Sequence, residues 1–204
     1  MKPRTRSPRG EGASLREDIL DAATGLLAEN GMESAVSVRA IADRVGVSIP
    51  SLYLHFADRQ AILDAVCERV WTQLDEAMEK AALDGSSALD ALKQRGLAYI
   101  RFGLANREHY RIVMMDRRTN VRDEEMLIGS SSFAHLVEAV QACIDDATFP
   151  ADSDPARLGM ELWSAAHGLT SLVIAKPAMV WPDVETLASD LLEALARGIS
   201  TTPV

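Results

Sequence analysis

Residues 37–56 read SVRAIADRVGVSIPSLYLHF, and this stretch decides the fold. Ser37 is a residue type that caps helix N-termini, because its hydroxyl accepts from a backbone N–H otherwise left without a partner. Val38, Ile41, Ala42 and Val45 follow at helical spacing and form one apolar face. Gly46 interrupts the pattern and supplies the backbone conformation that a tight turn between helices requires. Ser48 is placed to cap a further helix, with Pro50 in its first turn, where a missing N–H costs nothing. Leu52, Tyr53 and Phe56 give that helix an apolar side. Ala42 is small enough for the next helix to cross closely. These are the physical demands of a helix-turn-helix.

Working outward, Ser14-x-x-Glu17 reads as a capping box. Leu15, Ile19, Ala22, Ala23, Leu26 and Leu27 continue the helix it opens, and Gly31 closes it. Asp58 caps a longer helix, with Ile62, Leu63, Val66, Val70, Trp71, Leu74 and Met78 on one stripe. Residues 1–13 mix basic side chains with Pro3, Pro8, Gly10 and Gly12 and lack periodicity, so they read as a disordered arm. That arm is either an inert tail or a source of phosphate and minor-groove contacts. The division expected is an arm at 1–13, a DNA-binding domain at 14–60 and a helical body at 61–204.

The body reads as helix throughout. Ser87-x-x-Asp90 opens a helix to about Asn106, and a short one covers Glu108 to Met115. Asp116 to Glu125 is dense in charge and reads as a loop. A helix is expected from Glu125 to Ala147. Asp154-Pro155 opens another to Ala175, the prolines between Lys176 and Pro182 break it, and Asp183 to Ile199 forms the last. Strand-like alternation and internal repeats are absent from the sequence. The expected fold is all-α, with about nine helices.

The net charge of −9 argues at first against a nucleic-acid partner, but its distribution reverses the argument. Residues 1–60 hold eight Lys/Arg and eight Asp/Glu, leaving 13 basic and 22 acidic residues for the rest. The first ten residues alone carry +4. Phosphate would repel the acidic body, so any DNA contact falls to the N-terminal segment.

The pattern Ser37-x-Arg39-x-Ile41-Ala42-x-x-x-Gly46-Val47-Ser48-x-x-Ser51-Leu52-Tyr53-x-His55-Phe56-x-x-Arg59 resembles the TetR family of bacterial regulators, as does the preceding Asn30-Gly31. The likeness is close over residues 14–65 and loose beyond. It implies a homodimer that binds double-stranded operator DNA and answers to a small-molecule effector. Ser48, Ile49, Pro50 and Ser51 would stand nearest the base edges. Ile49 and Pro50 have no side-chain donor and suit thymine methyls, whereas Arg39 suits guanine or a phosphate. By the resemblance, Ser37, Tyr53, His55 and Arg59 fall where family members hold the phosphate backbone. A core role for Tyr53 and a plain surface role for His55 stand as alternatives.

The resemblance also implies pairing through the last two helices. Ser164, Gly168, Ser171 and Ala175 form a shallow stripe of small residues, and Leu187, Leu191 and Leu195 lie on a wide apolar face of the final helix. Trp163-x-x-x-His167-Gly168 resembles a C-terminal subtype with a Trp-His-Gly signature. Trp163 and His167 share a helix face, so they belong to a ligand pocket, to the dimer seam or to a packed core. The pocket candidates are Trp71, Leu74, Met78, Tyr99, Phe102, Tyr110, Met114, Phe133, Trp163 and His167. Met and aromatic residues suit an apolar or amphipathic ligand.

Several classes are disfavoured. The four histidines are scattered, and no catalytic, phosphate-loop or cofactor motif occurs, so neither an enzyme nor a metal or cofactor is expected. No apolar run reaches the roughly 18 residues of a membrane span, and no apolar signal segment follows the basic N-terminus. Cys67 and Cys143 are too few and too far apart for a disulfide framework; buried free thiols and a reducing, cytoplasmic setting are expected. The remaining rival is a helical protein-interaction module, which would leave the cap-turn-cap arrangement of Ser37 to Asp58 unexplained.

Overall fold

The computed structural model describes residues 11–30, 36–114 and 131–200. These residues form nine helices and no strand: α1 (Glu11–Asn30), α2 (Val38–Val45), α3 (Ile49–Leu52), α4 (Arg59–Ala82), α5 (Ala88–Ala105), α6 (Arg107–Met114), α7 (Ser131–Asp145), α8 (Pro155–Ala175) and α9 (Val184–Ile199). The all-α expectation holds. Two compact units divide the chain at 69/70, within α4.

In the first unit the apolar faces of α1 and α2 and the start of α4 are buried. Ile19, Ala23, Leu27, Val36, Ile41, Leu52, Ile62 and Leu63 are each almost fully enclosed. The Ser37 cap is made: its hydroxyl accepts from Ala40 N–H at 3.1 Å. Gly46 ends α2 in the left-handed region (φ 76°), and its N–H donates to the Ala42 carbonyl. The Asp58 carboxylate accepts from Ala61 N–H at 2.8 Å and so opens α4.

Two expectations for this unit fail. Helix α1 starts at Glu11, three residues before Ser14, so the capping box is not an N-terminus and the arm does not extend to residue 13. The Glu17 carboxylate faces Arg16 and Arg69 instead, and Asp21 pairs with Arg69 at 2.6 Å. Ser48 does sit at the N-cap of α3, but its side chain makes no cap bond; its hydroxyl pairs with that of Ser51 at 2.8 Å. The C-cap expected at Gly31 lies outside the described residues, as do the loop at 116–125 and the first turn expected for the following helix.

The second unit packs α5 against α7, α8 and α9, with α8 also against α6 and α7. The close approach of α5 has a local cause: a Cβ on Gly103 would lie 2.5 Å from the Thr170 methyl and 2.8 Å from the Tyr110 ring. The caps read from sequence at Ser87 and Asp154 are made here, and Asp183, read only as the start of the last helix, is a cap as well. Ser87 accepts from Asp90 N–H, Asp154 from Ala156 and Arg157, and Asp183 from Thr186. Two apolar clusters form the core. One gathers Leu74, Tyr99, Tyr110, Leu169 and Leu192, and the other Leu92, Val140, Cys143, Phe149 and Leu162. After α7 the chain turns at Ala147 (φ 64°), and Phe149 N–H bonds back to the Cys143 carbonyl at 2.8 Å, which drives the Phe149 ring into the core.

Candidate functional site

The residues expected to meet DNA all lie on α2, α3 and their flanks. Ser37, Arg39, Ser48, Ile49, Pro50 and Tyr53 are exposed, whereas Ser51, His55 and Arg59 are half-buried. Helix α3 is a single turn of four residues, closed by Tyr53, His55 and Phe56 N–H groups bonding back to Ile49 and Leu52. Burial separates its side chains. Leu52 and Phe56 are buried, and Arg16 stacks its guanidinium 5.2 Å from the Phe56 ring centroid. Tyr53 is 51% exposed, one turn from the exposed Ile49, so it belongs to the outer face rather than the apolar side expected for it. Leu54, 84% exposed, joins that outer face and was not singled out from sequence.

The polar residues differ in how committed they are. Arg39 is 85% exposed and, among the described residues, paired with Asp43 at 4.0 Å, so it can swing toward a base or a phosphate. Arg59 already has work in the fold: its Nε donates to the Val36 carbonyl at 2.7 Å, tying the start of α4 to the segment before α2. Arg44 pairs with Glu29 at 2.6 Å.

The second unit contains an apolar cavity of about 70 Å³. Of the ten pocket candidates, Trp71, Leu74, Met78, Tyr99, Phe133 and Trp163 line it. Phe102, Tyr110, Met114 and His167 do not. Tyr110 is buried in the core, and Phe102 and Met114 pack against the same cluster. The wall is completed by residues the sequence reading passed over, among them Leu92 and Gly96 of α5, Leu136 of α7, Phe149, Ala166 of α8 and Leu192 of α9. Apart from Phe149, their side chains are small or aliphatic and carry no chemical signal, and only the packing of α5, α7, α8 and α9 reveals them.

Behind Tyr99 and Trp163 runs a hydrogen-bonded chain. Trp163 Nε1 donates to the Tyr99 hydroxyl at 3.1 Å, and the Tyr99 and Tyr110 hydroxyls lie 2.9 Å apart. The Tyr110 hydroxyl lies 2.6 Å from His167 Nδ1. Burial pushes the Tyr99 phenol up to about 12. The Tyr110 phenol is raised too, by burial first and by Tyr99 second, and burial lowers the His167 imidazole. Two neutral phenols and a neutral imidazole follow. His167 is thus a hydrogen-bonded interior residue that supports the cavity wall without forming it.

On α8, Ser164 and Ala175 are exposed and Gly168 and Ser171 half-buried; the Ser171 hydroxyl donates to its own helix at His167. Leu187, Leu191 and Leu195 of α9 are half-buried against the core of their own chain, so less of that face is open than the sequence suggested. Met160 and Leu172 of α8 are exposed and were missed. Their signal was available: 160, 164, 168 and 172 form one row at a spacing of four.

The model for bacterial regulatory proteins of the tetR family matches residues 19–66, and the tetracyclin repressor-like C-terminal domain matches residues 92–195. The chain belongs to the TetR family. The helix-turn-helix of this TetR-family chain, at α2 and α3, lies within the stretch that matches the bacterial regulatory proteins. It is 27% identical over 130 residues to the HTH-type transcriptional repressor KstR of Mycobacterium tuberculosis, covering 64% of the chain and 54% of KstR. The chain therefore matches about half the length of that relative. Among solved structures, a Rhodococcus protein of unknown function shares the fold with a TM-score of 0.81 at 24% identity, covering 98% of this chain and 100% of that one. FadR of Bacillus subtilis, solved in complex with stearoyl-CoA, gives a TM-score of 0.76 at 20% identity over 90% of this chain and 98% of FadR. No described helix of this TetR-family regulator is long and apolar enough to cross a membrane.

Proposed function

We propose that this regulator is a homodimeric repressor that binds a near-palindromic operator and is released when a small apolar or amphipathic ligand enters the cavity of the second unit. The observation that carries the ligand half of this reading is the cavity itself: six of its lining residues are aromatic, Met or Leu side chains expected there from the sequence. A cavity of about 70 Å³ holds a few waters, at roughly 10–15 Å³ each. A larger ligand must therefore displace wall residues, and α4 supplies three of them in Trp71, Leu74 and Met78. Since α4 also begins in the first unit, its displacement is the route by which ligand changes the spacing of two DNA heads. FadR, which shares this fold, was solved in complex with stearoyl-CoA, and this supports an acyl chain as the first ligand class to try.

Pairing would use the exposed row on α8 with α9, and two-fold symmetry would set the recognition helices roughly 34–36 Å apart. The Trp163-His167-Gly168 pattern is read as the Trp-His-Gly subtype, and the bond from Trp163 to Tyr99 supports a pocket role for it over a seam role. Repression with release requires the ligand to prefer the state that does not bind DNA. A tenfold loss of operator affinity corresponds to about 1.4 kcal/mol of coupling.

The test is selection of DNA from a random pool by the purified chain, then anisotropy on the selected sequence at increasing salt and with long-chain acyl-CoA. Recovery of one palindrome, bound more weakly as salt rises and released by ligand, is the expected result. Recovery of no shared sequence at low salt would overturn the repressor reading and favour a protein-interaction module. An operator affinity unmoved by acyl-CoA would remove that ligand class alone.

A further inference from the structure

Outside the cavity and the DNA face, one cluster of side chains has no role so far. Asp75 and Glu79 stand one turn apart on α4, and His135 of α7 faces both. His135 Nδ1 lies 3.1 Å from a carboxylate oxygen of Asp75 and 3.6 Å from one of Glu79. We infer that Asp75, Glu79 and His135 form a binding site for a first-row divalent transition ion such as Zn²⁺ or Co²⁺.

Geometry carries this first. Ligand atoms bound at about 2.1 Å, at angles between 90° and tetrahedral, are separated by about 3.0–3.4 Å. The 3.1 Å from His135 to Asp75 matches an edge of such a polyhedron, the 3.6 Å to Glu79 is slightly longer than one, and one donor atom from each of the three residues falls within 4.8 Å of the other two. One imidazole nitrogen with two carboxylates leaves a position for water, and the imidazole selects Zn²⁺, Co²⁺ or Ni²⁺ over Mg²⁺ or Ca²⁺.

The surroundings are those of a ligand set held from behind. Asp75 is buried, and its second oxygen accepts from the Ser131 hydroxyl at 2.7 Å. Arg95 grips Glu79 through both Nη atoms, which fixes the carboxylate and leaves oxygen lone pairs for an ion. Among the described residues charge favours a cation as well, since Asp75 and Glu79 are two negative groups beside Arg95, with Glu138 near enough to act on that arginine. The Glu79 and His135 side chains are more than a third exposed, so an ion has an entry path from solvent. Binding requires the imidazole nitrogen free of its proton, which passes to solvent.

The position has a consequence for the fold. Leu74, Met78, Phe133 and Leu136 line the cavity from the same two helices that carry the three ligands. A bound ion therefore fastens α4 to α7 beside the cavity wall.

The experiment is titration of the chelator-treated full-length protein with Co²⁺, followed by its visible absorption, and with Zn²⁺ by calorimetry. One ion per chain is expected, with a rise in melting temperature. His135→Ala and Glu79→Gln should each weaken binding at least tenfold and abolish the melting shift, with helicity by circular dichroism unchanged. Absence of a stoichiometric Co²⁺ band in the unmodified protein overturns the site, whatever the variants do. So does a folded His135→Ala variant that binds as tightly as the parent. Because the probe is the metal alone, neither result bears on the repressor reading.

Discussion

The Tyr110 hydroxyl and His167 Nδ1 are 2.6 Å apart in the interior of the second unit. Burial keeps the phenol protonated and the imidazole neutral, so the bond joins two uncharged groups. The neutrality of His167 has a pH consequence. Burial holds the folded imidazole below its ordinary 6.5, so the unfolded chain takes up a proton first. Stability from this group is present above about pH 6.5 and is lost as pH falls toward the folded value. Urea midpoints measured between pH 7.5 and 5.5 should fall, and His167→Asn, whose amide can still bond to the Tyr110 hydroxyl, should show a shallower fall. An unchanged slope in the variant would refute the assignment.

Tyr53 and Arg59, both proposed DNA contacts, differ in what else they do. Tyr53 is an exposed ring, so Tyr53→Ala should leave the melting temperature nearly unchanged while weakening operator binding about tenfold, or 1.4 kcal/mol. Arg59 also donates to the Val36 carbonyl, so Arg59→Ala should lose stability and affinity together, the stability part by about 1–2 kcal/mol. Equal effects of the two changes on melting would contradict this division.

Two left-handed residues predict opposite responses. At Gly46 a Cβ meets nothing within 4 Å, so Gly46→Ala is opposed by backbone conformation alone and should cost about 1–2 kcal/mol. At Ala147 the native side chain already bears that strain, and Ala147→Gly should stabilise the chain by about 0.5–1 kcal/mol, net of the added freedom of the unfolded state. Denaturant unfolding of both variants checks the pair.

The α8 row tests the dimer. A Cβ at Gly168 meets nothing within its own chain, and Leu172 is 54% exposed. Gly168→Trp and Leu172→Asp should therefore leave the chain folded but shift sedimentation toward the monomer, and operator binding should drop with them. A variant that remains dimeric by sedimentation would place the seam elsewhere.

How much of this was legible in the sequence follows the range of the interactions. Caps at Ser37, Asp58, Ser87 and Asp154 are decided within three residues, and all are made. The turn at Gly46 is equally local. Ser14 misled because a cap motif inside a run of good helix formers need not be used. The cavity was half legible. Periodicity found Trp71, Leu74 and Met78, but which face of α6 turns inward depends on packing against α8, and so Tyr110 and Met114 joined the core. The Asp75–Glu79–His135 cluster joins residues 60 positions apart in sequence and has no local signature.

The two thiols have a practical consequence. Cys67 and Cys143 are both buried, and burial lifts the Cys143 thiol to about 12, far from the reactive thiolate. The native chain is thus a chemically silent background for maleimide labelling. Single cysteines placed at exposed sites such as Leu54 or Val180 would take up a spin label or fluorophore selectively, so distances between paired chains become measurable without first removing a native residue.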